Sequence, residues 1–149
     1  AEKAIDQGWI GQANFTTLRT KAELLEALGK NKEAKKAMDL AIQYTGGLFD
    51  LHNYGRELLM DNKVDQALNI FNINAKKHPN HWVSQLGLAR GYAASGDTKR
   101  ALKYAKNAQK MIPNEEMGVR KYAVNLLIEQ LNKNEKPVIF LATDWKQVF

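Results

Sequence analysis

The sequence predicts an all-α fold, a solenoid of antiparallel helix pairs closed by a C-terminal capping helix, and three observations carry that expectation. The first is a period. Pro79 and Pro113 stand 34 residues apart, and so do Ala67 and Ala101, two independent pairs with one spacing, which is how an array of short supersecondary units writes itself into a chain. The second is punctuation: Gly96 falls where a first helix should end, Asp97 or Thr98 can cap the next, and Pro113 stops it because proline cannot continue a helix. The third is the placing of small residues. Two helices of about a dozen residues approach closely only where their facing positions are small, and Ala89, Ala101 and Ala108 supply such positions.

Taken in order, residues 1–8 read as the last turns of a second helix whose first helix is missing, since Lys3, Ala4 and Ile5 echo Leu40, Ala41 and Ile42. Trp9-Ile10-Gly11 then turns the chain over the end of the stack. Residues 15–47 form a first full repeat. Asn14 or Thr16 is its N-cap, Ala22, Leu25 and Leu28 make an apolar stripe, and Gly46-Gly47 provide a left-handed helix end. Residues 48–81 form the second repeat, with Leu51, Gly55, Leu58, Ala67, Phe71 and Pro79, and residues 82–115 form the third. After Pro113, Asn114 caps and Glu115-Glu116 suit the dipole of a helix over 116–132, a capping helix or the first helix of a fourth repeat, whose apolar residues are Val119, Tyr122, Ala123, Leu126, Leu127 and Leu131. Pro137 ends it, and the tail 133–149, with Val138, Ile139, Phe140, Leu141 and Trp145, is too apolar to be solvated and should pack as a short helix or an extended segment.

With Trp82 as position 1, Leu88, Ala89, Tyr92, Gly96, Ala101, Ala108 and Pro113 occupy positions 7, 8, 11, 15, 20, 27 and 32. This set resembles the tetratricopeptide repeat, and the likeness covers about residues 15–132. It implies a right-handed solenoid of one domain over 1–149. The first repeat matches with Leu25, Gly29, Ala34, Met38 and Ala41. The second departs most: Leu58 stands where tyrosine is usual, Asn62 where glycine is usual, and Asn74 where alanine is usual. A second likeness runs over residues 1–45, where NFTTLRTKAELLEALGKNKEAKKAMDLAI is similar to the helical tail of a bacterial exported protein family of unknown function, in which such helices follow a β-rich domain. It implies that this domain and an export signal precede residue 1.

Composition narrows the function classes. The 149 residues are 44% hydrophobic and 26% charged, as in ordinary folded proteins, and no apolar run is long enough to span a bilayer. The chain has no cysteine, which removes disulfide and thiolate chemistry and leaves the compartment, exported or cytoplasmic, open. Net charge is +6, and residues 82–115 hold six basic and two acidic residues, a net +4 of that excess. Lys99, Lys103, Lys106 and Lys110 recur at helical spacing. Taken without an aromatic partner for bases, the row is expected to be a solvated outer face, which disfavours nucleic acid as partner.

For catalysis the inventory is thin. Ser84 and Ser95 have no histidine at helical spacing, and Gly46-Gly47 lacks the lysine and strand of a phosphate loop. His78 and His81 flank Pro79 at a two-ligand spacing, yet without cysteine or a nearby acidic ligand they read as a turn. No enzyme, cofactor or metal is expected.

The resemblance instead points to binding. Tetratricopeptide arrays place first-helix positions 2, 5, 9, 12 and 13 on a concave peptide-receiving surface. Position 5 is then Arg19, His52, Leu86 and Arg120, and position 9 is Glu23, Arg56, Arg90 and Val124. Four arginines, with His52 and Asn53 beside them, would line one basic groove suited to an acidic or extended peptide, because a guanidinium offers a planar fork of donors to a carboxylate. Phe49, Tyr54, Leu59 and Met60 on the same first helix could add apolar pockets, with Tyr54 at position 7 reading rather as core. The carboxylate clamp of chaperone-binding members is not reproduced; Asn53 beside Arg56 is a faint echo of it. The bland alternative pairs these arginines with Glu23, Glu26 or Glu57. A structural role, as scaffold or homodimerisation element for a missing domain, is the second class.

Overall fold

A computed structural model of the chain describes residues 14–113 and 118–135; the expected helix remnant at 1–8, the turn at 9–11, the cap at Asn114 and the tail from 136 lie outside them. Every described element is helical: α1 Phe15–Ala27, α2 Asn31–Leu40 running into a π-helical turn Ala41–Thr45, α3 Leu48–Met60, α4 Val64–Lys77, α5 Trp82–Ala94, α6 Thr98–Met111 and α7 Val119–Asn132. They fall into two compact units, Ala1–Asp50 and Leu51–Phe149.

The chain repeats its local geometry. Helices α1, α3 and α5 are each 13 residues long and begin at residues 15, 48 and 82. Each ends on a residue in the left-handed region, Gly29 at φ 73°, Asn62 at 59° and Gly96 at 82°. In all three the amide of that residue donates to the carbonyl three back and the following amide to the carbonyl five back, as in Gly29 to Glu26 and Lys30 to Leu25, Asn62 to Leu59 and Lys63 to Leu58, Gly96 to Ala93 and Asp97 to Tyr92. This doubly bonded ending satisfies carbonyls that the helix leaves open. Asn62 thus departs in residue but not in conformation, since asparagine tolerates the left-handed region better than other side chains. α7 closes the same way, with Asn134 at φ 53° donating to Leu131 and Glu135 donating to Gln130.

Side chains cap some of the helix starts, while α2, α4 and α7 have no side-chain cap. Asn14 is the N-cap of α1, its Oδ1 accepting from the Thr17 amide at 2.9 Å while Thr17 Oγ1 accepts from the Asn14 amide. Asp97 caps α6 by accepting from the Arg100 amide at 2.9 Å.

In the first unit α1 and α2 meet through Ala22, Leu25, Ala34 and Ala37, with Met38 packed against them. Two expectations fail here. Leu28 does not join the Ala22–Leu25 stripe: it is 56% exposed, because as C-cap of α1 it has already left helical geometry. Gly46-Gly47 form no left-handed end. Gly46 is extended at φ −71°, ψ 96°, and the helix has already widened into the π turn, where Thr45 Oγ1 donates to the Ala41 carbonyl. Gly47 instead donates to Asp50 Oδ2 at the start of α3.

In the second unit Phe71 of α4, fully buried, is the central wedge. A Cβ on Gly55 of α3 would come within 2.4 Å of its ring, one on Gly87 of α5 within 2.6 Å, and one on Gly91 within 2.6 Å of Leu68. Glycine is therefore required on the two helices that press against this ring. α6 meets α5 with Ala101, Ala105 and Ala108, all with no exposed surface. In α7 the buried row is Val124, Leu127 and Leu131, while Tyr122, expected with the core, is 67% exposed. The described helix spans Val119–Asn132, and the expected start at 116 lies outside the described residues.

Candidate peptide-binding site

The glycine notches decide which basic residues meet. Gly55 and Gly87 bring α3 and α5 onto the same phenylalanine, and His52 lies one turn before Gly55 while Arg90 lies one turn after Gly87. The result is a contact between residues 38 apart in sequence: Arg90 Nη1 lies 3.4 Å from His52 Nε2. A guanidinium can only donate, so Nε2 accepts and Nδ1 carries the proton. Nδ1 has no hydrogen-bond partner among the described residues. The imidazole also lies 5.9 Å, centroid to centroid, from the Phe71 ring at a tilt of 49°.

Burial pushes the His52 pKa well below its usual value, and the positive charges of Arg90 and then Arg56 push it further down. The imidazole is neutral at pH 7. The positive potential of this node therefore comes from two guanidinium groups, with a neutral ring between α3 and α5.

The surface around Arg90 is closed. Val83, Leu86, Arg90 and Ala93, the side of α5 expected to line an open groove, are 2%, 1%, 4% and 8% exposed, and Val124 of α7 is fully buried. Every residue from Trp82 to Gly91 is buried, so α5 is enclosed on all sides, as a helix inside a core is. It is so despite Ser84, Gln85 and Arg90. Gln85 Nε2 donates to the Pro79 carbonyl at 3.3 Å, whereas Ser84 Oγ finds no partner among the described residues.

Each remaining expected residue has its own local setting. Arg19 belongs to the first unit, where its Nε donates to Glu23 Oε1 at 2.7 Å within α1, the bland pairing realised. Arg56 is half-buried and Asn53 exposed on α3. Arg120, also half-buried, places its guanidinium 5.8 Å from the Trp82 ring centroid. Phe49 and Met60 are 58% and 51% exposed, while Leu59 is buried. His81 serves as the N-cap of α5, its Nδ1 accepting from the Val83 amide at 3.2 Å, and no group of metal-ligating side chains occurs among the described residues.

One cluster escaped the sequence. Tyr92 of α5 and Tyr104 of α6 stack with centroids 5.5 Å apart and planes 8° apart, with Arg100 4.3 Å above Tyr92 and the Lys103 ammonium 5.7 Å from Tyr104. Tyr104 next to Lys103 was the available signal, overlooked because Tyr92 lies on another helix. Beside the stack, an open depression of about 760 Å³ is lined by Leu68, Tyr92, Lys99 and Arg100.

No protein-family model matches the chain, and no curated protein matches its sequence.

Proposed function

We propose that this chain is a protein-interaction scaffold of the tetratricopeptide type, a solenoid of antiparallel helix pairs whose first helices hold an acidic or extended peptide segment at a basic node of Arg56 and Arg90, with Arg120 further along. One observation carries the reading: His52 and Arg90, on helices that begin 34 residues apart, are in contact. The identical doubly bonded endings of α1, α3, α5 and α7 support the repeat. Guanidinium groups held in a desolvated setting favour carboxylates over other ligands, since both charges are then weakly screened.

The closure of α5 favours a second reading beside it. The segment that meets Arg90 is then supplied within the protein, and the helices serve as an internal scaffold or dimerisation element for a neighbouring domain.

The two readings separate in a peptide titration. Fluorescently labelled peptides ending in acidic residues are titrated with the chain and with its Arg56→Ala and Arg56→Lys variants, each checked for unchanged thermal unfolding. An exchangeable site gives salt-sensitive binding weakened about tenfold or more by Arg56→Ala, because a charge-assisted hydrogen bond contributes about 1.5–3 kcal/mol. Absence of binding at low salt would leave the internal scaffold.

A further inference from the structure

The largest charge excess along this chain, a net +4 over residues 82–115, has most of its cations on α6, apart from the arginine node. Lys99, Lys103, Lys106 and Lys110 form one row along the helix, spanning about 16 Å at 1.5 Å per residue. Lys99, Lys103, Lys106 and Lys110 are exposed. None of them forms an ion pair among the described residues. Asp97, the acidic residue at the start of the row, is already engaged: its Oδ2 accepts from Arg100 Nε at 2.6 Å and its Oδ1 caps the helix. Four like charges at i,i+3 and i,i+4 repel one another and do nothing for the helix. They are suited to a polyanion.

Charge by itself would accept any polyanion, and the tyrosine stack narrows the choice. Tyr92 and Tyr104 are half-buried and present a parallel pair of rings next to the lysine row, with Arg100 over one ring. Lys103 sits loosely over Tyr104, its ammonium 5.7 Å from the centroid. A base stacking on Tyr104 would exchange this contact for overlap of two π systems and free Lys103 for a phosphate. Cations that track a backbone beside aromatic faces that receive bases are the two parts of a sequence-tolerant single-strand site. The expectation that α6 is merely solvated left Tyr104 out of account, although it stands between Lys103 and Lys106, and the fold sets Tyr92 of α5 against it.

We propose that α6, together with Tyr92 of α5, forms a second binding surface that takes single-stranded nucleic acid, with a base on the tyrosine stack and phosphates along Lys99 to Lys110. An acidic peptide lacks the bases that the stack would receive.

The test is fluorescence anisotropy of a labelled twelve-nucleotide oligothymidylate with the full chain at several salt concentrations. Engagement of three or four lysines gives a slope of log K against log salt of about −2 to −3. Lys103→Gln with Lys106→Gln lowers that slope by about 1.4. Tyr104→Leu, matched for helicity by circular dichroism, weakens binding about tenfold with the slope unchanged, and Tyr104→Phe retains affinity. An abasic strand of the same length makes the stacking comparison on the unaltered protein and should bind about tenfold more weakly. The proposal is overturned if no binding occurs at low salt, if the abasic strand binds as well as oligothymidylate, or if a polyglutamate of equal length binds as tightly, which would mean a surface that reads charge alone.

Discussion

Helices α5 and α6 meet at a single turn, with Gly96 between them at φ 82°, yet they handle polar groups in opposite ways. α5 takes Ser84, Gln85 and Arg90 out of water. α6 turns three alanines with no exposed surface inward and sets its lysines outward. A buried guanidinium is costly to move and tightly coupled to its neighbours, so the charge on α5 is bound up with stability. The lysines of α6 cost the fold little and are free to be matched to a partner. Mutations in the two helices should therefore differ in size and even in sign.

The largest effect is expected at the wedge that holds α5 in place. Phe71→Ala removes the ring against which Gly55, Gly87 and Gly91 are fitted, and because those three positions carry no side chain to fill the gap, the cavity should collapse poorly. A loss of about 3–5 kcal/mol is expected from urea unfolding. It should also pull His52 and Arg90 apart, which nuclear magnetic resonance of the imidazole would report as a pKa returning toward 6.5.

The same imidazole gives the second effect. His52 is neutral in the fold, held below its usual pKa by burial and by Arg90 and Arg56. Once the pH falls below about 6.5 the unfolded chain binds a proton that the folded chain refuses. The stability associated with neutral His52 is thus fully present above that value and is lost on acidification, by at most about 1.4 kcal/mol per pH unit for a single group. Unfolding at pH 7 and pH 5.5 should show a larger drop for the natural chain than for His52→Gln. Equal drops would mean that the ring is not desolvated.

Much of this was legible beforehand because it depends on local chemistry. The period of Ala67 and Ala101, the stop at Gly96 and the caps at Asn14 and Asp97 are written in residues whose backbone preferences act within a few positions. Asn62 shows that conformation persists where the residue type departs. What lay beyond reach was whatever sits across from a helix. Repeat position assigns Arg90 to one side of α5 but says nothing about whether that side is covered, and it cannot foresee that three glycines would converge on Phe71 to bring His52 against it. Gly46 misled for a related reason: a glycine permits a left-handed turn without requiring one, and the π turn at Ala41–Thr45 had already ended the helix. Tyr92 and Tyr104, 12 residues apart on two helices, became neighbours only through the alanine contacts of α6.

The smallest effect is the most telling for α6. In Lys106→Glu a carboxylate stands four residues before Lys110 and three after Lys103, the arrangement in which opposite charges support a helix, and two like-charge repulsions vanish. Each pair gained and each repulsion lost contributes about 0.2–0.5 kcal/mol, so the variant should be more stable than the natural chain by about 1 kcal/mol, measured by chemical denaturation at low salt, with the gain fading at high salt. A change that stabilises the protein so easily identifies a row of lysines that folding does not ask for. Stability alone does not assign those lysines a function, since natural chains often sit below their stability optimum; the binding readout does, and the same substitution should weaken oligothymidylate binding while leaving peptide binding at Arg56 untouched. If Lys106→Glu instead destabilises, the lysine row serves the fold, and the contrast between α5 and α6 is one of degree.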